Sequence, residues 1–318
     1  MAGAVTTLTT DRPARPGLRW PYSPAPLGRI AVLRVVVYLF VPVDVLLTTA
    51  WVAGHAAVPG ELYVPLRIGR LLPLPTPGPW VEVLQVVLVL AALVAALAAV
   101  RDRHPRLTGW LVAVLYLEWM VVAMSYGKVD HDRFAFLVAL FVLPSVGRAS
   151  LRSRDRTEAA GWALSMIALA VVATYTLAAV AKIRFGGWGW VDGATLTRAV
   201  VRRNTPLSEP LLEVPVVLRG AAYALMLLEL FVAPLLLVAW RDPRVTWGLA
   251  GLFLGFHLMT FSMVTIIFLP HCVALLAFLP LEKLAVARWA GRRRKAAGGA
   301  RGALNANTGH PAGERHAC

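Results

Sequence analysis

Three basic side chains stand where their chemistry could move protons. Lys182 directly follows the apolar stretch LAAVA, and an amine held against apolar surface loses hydration, which disfavours its charged form. An uncharged lysine can act as a general base. The imidazoles of His131 and His257 can exchange protons near neutral pH. A purely structural interpretation stays open for all three, as headgroup anchors or polar ends of helices, and His271 in the segment FLPH is expected to be a turn residue.

Further ionisable residues lie inside apolar stretches, where a charge costs at least ~2.5–3.5 kcal/mol and therefore needs a partner or a role. Arg34 and Asp44 are separated by about 15 Å along a helix, so they cannot pair with each other and must contact other elements. Glu118 and Glu229 either bond a neighbouring helix or line a polar cavity. Structural and functional interpretations are both open for these four residues.

The composition identifies the elements that must hold these side chains. The 318 residues are 58% hydrophobic and 15% charged, whereas soluble domains are about 45–50% apolar and about 25% charged. Runs of roughly 18 or more apolar residues can cross the hydrocarbon core of a bilayer. We therefore predict an all-α, polytopic bundle of about eight transmembrane helices. The predicted spans are about 28–52, 80–100, 107–125, 133–147, 159–181, 214–240, 245–266 and 271–286.

The basic residues predict the orientation of the bundle. The net charge of +15 is concentrated between the apolar runs, in segments such as RDRHPR, RASLRSRDR and RDPR. This pattern fits the excess of Lys and Arg in cytoplasmic loops better than it fits nucleic-acid binding. We expect a cell-membrane protein with both termini in the cytoplasm. A cytoplasmic tail at 1–21 and a disordered basic tail at 291–318 would flank a membrane domain at 22–290.

Sequence motifs of common soluble enzymes are missing. The two cysteines, Cys272 and Cys318, show neither a disulfide framework nor metal-ligand spacing. No P-loop, dinucleotide-binding glycine motif or zinc-binding HExxH occurs. We predict no metal site.

Four stretches in order carry a resemblance to a known family. They are SPAPLGRIAVLRVVVYLFVPVDVLL, GKVDHDRFAFLVALFVLP, TYTLAAVAKIRFGGWGWVDGATL and GLFLGFHLMTFSMVTIIFLPHCVALLAFLP. Over residues 22 to 286 the chain resembles the membrane domain shared by vitamin K-dependent gamma-carboxylase and its bacterial relatives, often called the HTTM domain. The sequence departs from that pattern at Ala181, where the carboxylase has the first lysine of a pair.

The resemblance implies a quinol-dependent membrane enzyme. In the carboxylase, the corresponding lysine deprotonates a reduced vitamin K-type quinone, oxygen adds, and the strong base so formed allows a substrate carbanion to take up carbon dioxide. The implied roles are Lys182 as base, with His131 and His257 handling protons or contacting the quinol. The cofactor-binding residues would be Arg34, Asp44, Trp190 and Glu229.

The predicted orientation gives the location of the site. Since Lys182 follows the fifth span on its outer side, the site would lie on the extracytoplasmic side of the membrane. Because only about 30 residues follow the eighth span, we expect no large lumenal domain. We therefore expect quinol oxidation or epoxidation, with possible carboxylation of an unknown substrate.

A non-enzymatic function is the alternative. A transporter, or a membrane scaffold that binds a partner protein or lipid, would use Arg34, Asp44, Glu118 and Glu229 to line a pathway. The sequence shows neither an inverted repeat nor a matching pair of broken helices, which many transporters have.

Overall fold

Long helices dominate the computed structural model, which describes residues 21–71, 74–203, 205–239 and 242–283. The strands in these ranges, β1 (Ala25–Pro26) and β2 (Arg156–Thr157), pair antiparallel over two residues each. The all-α fold predicted from the sequence is confirmed. The helices are α1 (Leu27–Val43), α2 (Arg67–Leu71), α3 (Trp80–Arg101), α4 (Pro105–Ala123), α5 (Phe134–Ser145), α6 (Glu158–Gly186), α7 (Ala194–Arg203), α8 (Pro215–Leu227), α9 (Ala233–Ala239), α10 (Pro243–Val264) and α11 (Leu269–Leu275).

Shorter helical segments extend or connect these helices. Two π-helical turns continue long helices, and 3₁₀ helices occur mainly in the connections. The predicted tails at 1–21 and 291–318 lie outside the described residues, apart from Pro21. The π turns are Asp44–Thr48 and Leu228–Val232, and the 3₁₀ segments are Ala50–Ala57, Gly60–Leu62, His131–Arg133, Trp188–Asp192, Glu209–Glu213 and Leu276–Phe278.

Within the described residues, six helices are long and apolar enough to cross a membrane. The fourth predicted span forms only the 12-residue helix α5, and the eighth forms the short helix Leu269–Phe278. Both are shorter than the ~20 residues that a straight crossing needs, so the predicted number of eight spans is approximate. The six long helices are Leu27–Thr48, Trp80–Arg101, Pro105–Ala123, Glu158–Gly186, Pro215–Val238 and Pro243–Val264.

Helix α3 shows how the bundle divides its inner and outer surfaces. Its alanines, including Ala92 and Ala95, are buried against neighbouring helices. Small residues allow helices to approach closely, which favours association where the solvent is lipid. Large side chains such as Val86, Leu90 and Val94 are exposed instead. An apolar outer surface of this kind is what a helix facing lipid presents.

The core lies where α1, α4 and α5 meet. Tyr116 and Trp119 on α4 are fully buried, and the Tyr116 ring packs edge-to-face on Phe136 of α5 with 5.3 Å between ring centroids. Helix α4 lies close to its neighbours at Gly109. A Cβ atom there would lie 2.4 Å from the Tyr38 hydroxyl and 2.7 Å from Cγ of Pro144. Glycine therefore sets the spacing between these helices.

Candidate functional site

Lys182 forms an ion pair with Glu229. The lysine lies near the end of α6, and its Nζ donates to both carboxylate oxygens of Glu229. The side chains are 21% and 8% exposed, respectively. Nζ also lies 4.9 Å from the centre of the Trp190 ring, a cation–π distance. The sequence analysis expected an amine held against apolar surface, whereas the structure places the Glu229 carboxylate beside Lys182.

A π-helical turn positions Glu229. The turn Leu228–Val232 joins α8 to α9, and its last hydrogen bond runs from the Ala233 N–H to the Leu228 carbonyl. Pro234 follows directly and has no N–H to donate to a helical hydrogen bond. In an ordinary α-helix, its ring would also clash with the carbonyl four residues earlier. The wider turn accommodates the proline, and turns of this type are frequent at functional sites.

Apolar residues that neighbour Lys182 and Glu229 in the sequence form a small cluster near the ion pair. Ala179, Val191 and Met226 form a small buried cluster on which Trp190 and other half-buried residues pack. Burial removes water from both charges, which strengthens their attraction and makes loss of either partner costly. The Lys182–Glu229 pair is therefore largely shielded from water, with the carboxylate the more buried of the two groups.

A second polar cluster joins α6, α10 and α11. The Tyr175 hydroxyl lies 2.7 Å from Nε2 of His257, which is 6% exposed. The ring of His271 stands edge-on to Tyr175, with 4.7 Å between centroids. Neither ring nitrogen of His271 has a hydrogen-bond partner among the described residues, nor does Nδ1 of His257. Buried polar atoms normally have partners, so these imidazoles stand out as groups available to a ligand.

His271 is not a turn residue, as the sequence had suggested. It lies in α11, which has proline in its first turn, and it is only 1% exposed. Proline is common at the first position of a helix, and the apolar run VALLAF follows. These two signals could have identified a buried histidine. Tyr175 was also missed, because a tyrosine inside an apolar helix gives no signal by itself.

His131 is the exposed member of the same region. It lies in the 3₁₀ turn His131–Arg133, and Phe268 stands between it and His257, with centroid distances of 6.5 and 5.1 Å. Lys182 follows Tyr175 by seven residues on α6, about 10 Å along the helix. The contacts thus define two groups carried by the second half of α6, one of Lys182, Glu229 and Trp190, and one of Tyr175, His257 and His271 with His131 beside it.

Asp44 lies in a buried network that holds the His131 turn. Its carboxylate accepts hydrogen bonds from the Tyr116 hydroxyl at 2.8 Å, from the Arg133 guanidinium at 3.2 Å and from Thr48. Arg133 also contacts Asp132, whose pKa is raised by burial, an effect that the Arg133 charge partly offsets.

Arg34 lies away from this region, near the other end of α5. It is fully buried, and its guanidinium donates to the Leu143 carbonyl at 2.7 and 3.2 Å. Among the described residues, the Leu143 carbonyl in the last turn of α5 otherwise accepts only a long bond of 3.4 Å from the Val146 N–H, so the guanidinium supplies its stronger partner. The expectation that Arg34 and Asp44 contact other elements rather than each other is confirmed. Arg34 is not brought together with the other candidate residues.

The described residues contain no group of three or more His, Cys, Asp or Glu side chains arranged to hold a metal ion. The chemistry that the region offers is proton transfer, between an amine–carboxylate pair and two imidazoles. Comparison of the chain with protein-family models, curated proteins and solved structures finds no match.

Proposed function

We propose that the chain is a membrane enzyme that oxidises a lipid-soluble quinol with oxygen. The reaction begins when the enzyme takes a proton from the quinol, as in the carboxylase-like family that the sequence resembles. The observation that carries the proposal is the Lys182–Glu229 ion pair, largely buried and with the Trp190 ring 4.9 Å from the lysine Nζ. A pair of this kind can accept a proton and stabilise the anion that remains.

The proposed proton transfer uses both members of the pair. A quinol hydroxyl gives its proton to the Glu229 carboxylate, and the Lys182 ammonium then pairs with the quinol oxyanion. Low polarity strengthens that pairing relative to water. The Trp190 indole offers a flat apolar surface for an aromatic ring beside the ammonium. Lys182 in this scheme acts together with Glu229, not as an isolated neutral amine.

The oxidation that follows needs oxygen as co-substrate. Oxygen adds to the deprotonated quinol, one of its atoms ends in the epoxide, and the other leaves as water with the two quinol protons. Carbon dioxide enters only if the strong base formed on the way removes a proton from a carbon acid. The Tyr175 hydroxyl and Nε2 of His257, 2.7 Å apart, lie close enough to pass a proton between them during these steps.

The proposed orientation puts the site outside the cytoplasm. The Arg-rich connections, such as the turn between α3 and α4, lie at one end of the long helices, and Lys182 lies toward the end of α6 that leads away from them. The positive-inside rule assigns the Arg-rich end to the cytoplasm. A quinol could then reach Lys182 from the outer leaflet.

The test supplies purified protein with a reduced naphthoquinone and oxygen, and measures epoxide by mass spectrometry. We expect wild-type protein to form epoxide, and Lys182→Ala and Glu229→Gln to lose at least about 100-fold in rate, the usual scale for removing a general base. Lys283→Ala is the matched control, since it removes an exposed lysine elsewhere. Equal product from wild type and Lys182→Ala would overturn the proposal.

A further inference from the structure

A groove of about 550 Å³ opens at the Arg-rich end of the bundle, far from the candidate site. One wall is the turn between α3 and α4, and the other is the segment that follows α5, at Val146, Gly147 and Arg148. The two walls are tied together because the Asp102 carboxylate accepts a hydrogen bond from the Ala149 N–H at 2.9 Å. The groove is thus a feature of the folded bundle.

The groove is strongly basic. Arg103, His104 and Arg106 line one side, and Arg148 lines the other. Asp102 is the acidic residue of the lining, and it is already engaged by the Ala149 N–H and by Arg148 at 3.4 Å. Arg103 and Arg106 are exposed and have no carboxylate partner within the described ranges. Two unpaired guanidinium groups therefore face the same groove, and guanidinium groups bind phosphate oxygens well.

The backbone around the groove is unusual. Asp102 and His104 both adopt a positive φ of 51°, a conformation that is uncommon for residues other than glycine. Opposite them, Gly147 has a φ of 83°, and a Cβ atom there would lie 3.0 Å from the Arg106 guanidinium. Such conformations cost energy and persist where the surrounding structure holds them. The surrounding structure therefore holds the backbone of the turn that carries Arg103 and Arg106 in an uncommon conformation.

An apolar surface continues from the groove along α4. Leu107 lines the groove and is 73% exposed, and Trp110 and Leu111 follow on the same side of the helix, also exposed. A ligand that fits both surfaces has an anionic head and an apolar tail. A free phosphate compound would use the arginines but leave the apolar surface uncovered.

We propose that this groove binds the phosphate of an anionic phospholipid, with an acyl chain lying along Leu107 and Leu111. Basic pockets between helices on the cytoplasmic side are suited to such headgroups. The binding requires no reaction at Lys182, so it is independent of the proposed enzymatic function.

The test measures lipid binding to the full chain in a neutral detergent by native mass spectrometry, with dioleoyl phosphatidylglycerol and dioleoyl phosphatidylcholine as probes. Wild type is expected to bind phosphatidylglycerol more tightly. The double variant Arg103→Gln/Arg106→Gln is expected to lose about 30-fold in that affinity, since each arginine near an anionic lipid contributes roughly fivefold. The matched control, Arg202→Gln/Arg203→Gln, removes the same charge from exposed positions on α7. This control is expected to retain the wild-type affinity for phosphatidylglycerol.

Two further measurements distinguish a lipid ligand from free phosphate, and a loss of binding from misfolding. Inorganic phosphate is expected not to displace the lipid, and displacement at millimolar concentration would overturn the lipid assignment in favour of free phosphate. The variant Arg103→Lys/Arg106→Lys keeps the charge and is expected to retain most of the lipid binding. That result would show that the fold tolerates substitution at these positions. Equal affinity of the glutamine and control double variants would overturn the proposal.

Discussion

Asp44 in the π-helical turn that extends α1 and Arg133 at the start of α5 form an ion pair of 3.2 Å in the interior of the bundle. Asp44 is fully buried, and the Arg133 side chain is 8% exposed. The pair links two helices that are far apart in sequence and holds the turn that carries His131. The position of an exposed candidate residue is therefore set by a buried contact.

Removal of Arg133 is expected to destabilise the protein strongly. Arg133→Leu would leave the Asp44 carboxylate buried with only Tyr116 and Thr48 as partners, and breaking a buried ion pair typically costs about 3–5 kcal/mol. Thermal unfolding in a mild detergent, followed by tryptophan fluorescence, measures the loss. Lys128→Leu is the control, because the Lys128–Asp130 pair has a lysine that is 72% exposed and is expected to contribute about 1 kcal/mol or less. Similar losses of stability in both variants would show that the buried Asp44–Arg133 pair contributes no more than the exposed Lys128–Asp130 pair.

The Lys182–Glu229 pair allows stability to be separated from activity. Lys182→Met alone leaves Glu229 buried without a cation and is expected to lower stability, whereas Lys182→Met/Glu229→Leu replaces both charges by apolar groups and is expected to recover most of it. Both variants should fail to form the epoxide that wild type forms, because neither retains the proton-accepting pair. Unfolding curves and the quinol assay are measured on the same preparations. Activity in the double variant would exclude the pair from the reaction.

The fold could be predicted from the sequence, but the pairing of Lys182 with Glu229 could not. Composition and apolar runs were enough for the helical fold, since a bilayer requires helices whose backbone groups are satisfied internally. Lys182 lies near the end of α6, however, and Glu229 lies in the middle of the apolar helix Pro215–Val238. Their meeting depends on how far α8 is displaced along α6, and that displacement is set by packing between distant segments. Glu229 was therefore recognised as a candidate, but not as the partner of Lys182.

The two buried histidines are expected to respond differently to the same substitution. His271→Phe removes ring nitrogens that have no partner in the described structure, so stability should be unchanged or slightly higher. His257→Phe leaves the Tyr175 hydroxyl without its partner and should cost about 1–3 kcal/mol. If His271 serves a ligand, quinol oxidation falls in His271→Phe although the protein is stable. Normal activity together with raised stability would assign His271 to packing alone.

Two glycines in long helices should respond in opposite directions to alanine. At Gly109 the added Cβ atom would meet the Tyr38 hydroxyl and the ring of Pro144, so α4 must move away from α1 and α5. Overpacking of this kind costs about 1–3 kcal/mol. At Gly255 in α10 a Cβ atom would meet nothing within 4 Å, and alanine is favoured over glycine in a helix by about 0.5–1 kcal/mol. Gly109→Ala is therefore expected to lower the unfolding temperature and Gly255→Ala to raise it slightly, and a rise in both would mean that the three helices are packed less closely than described.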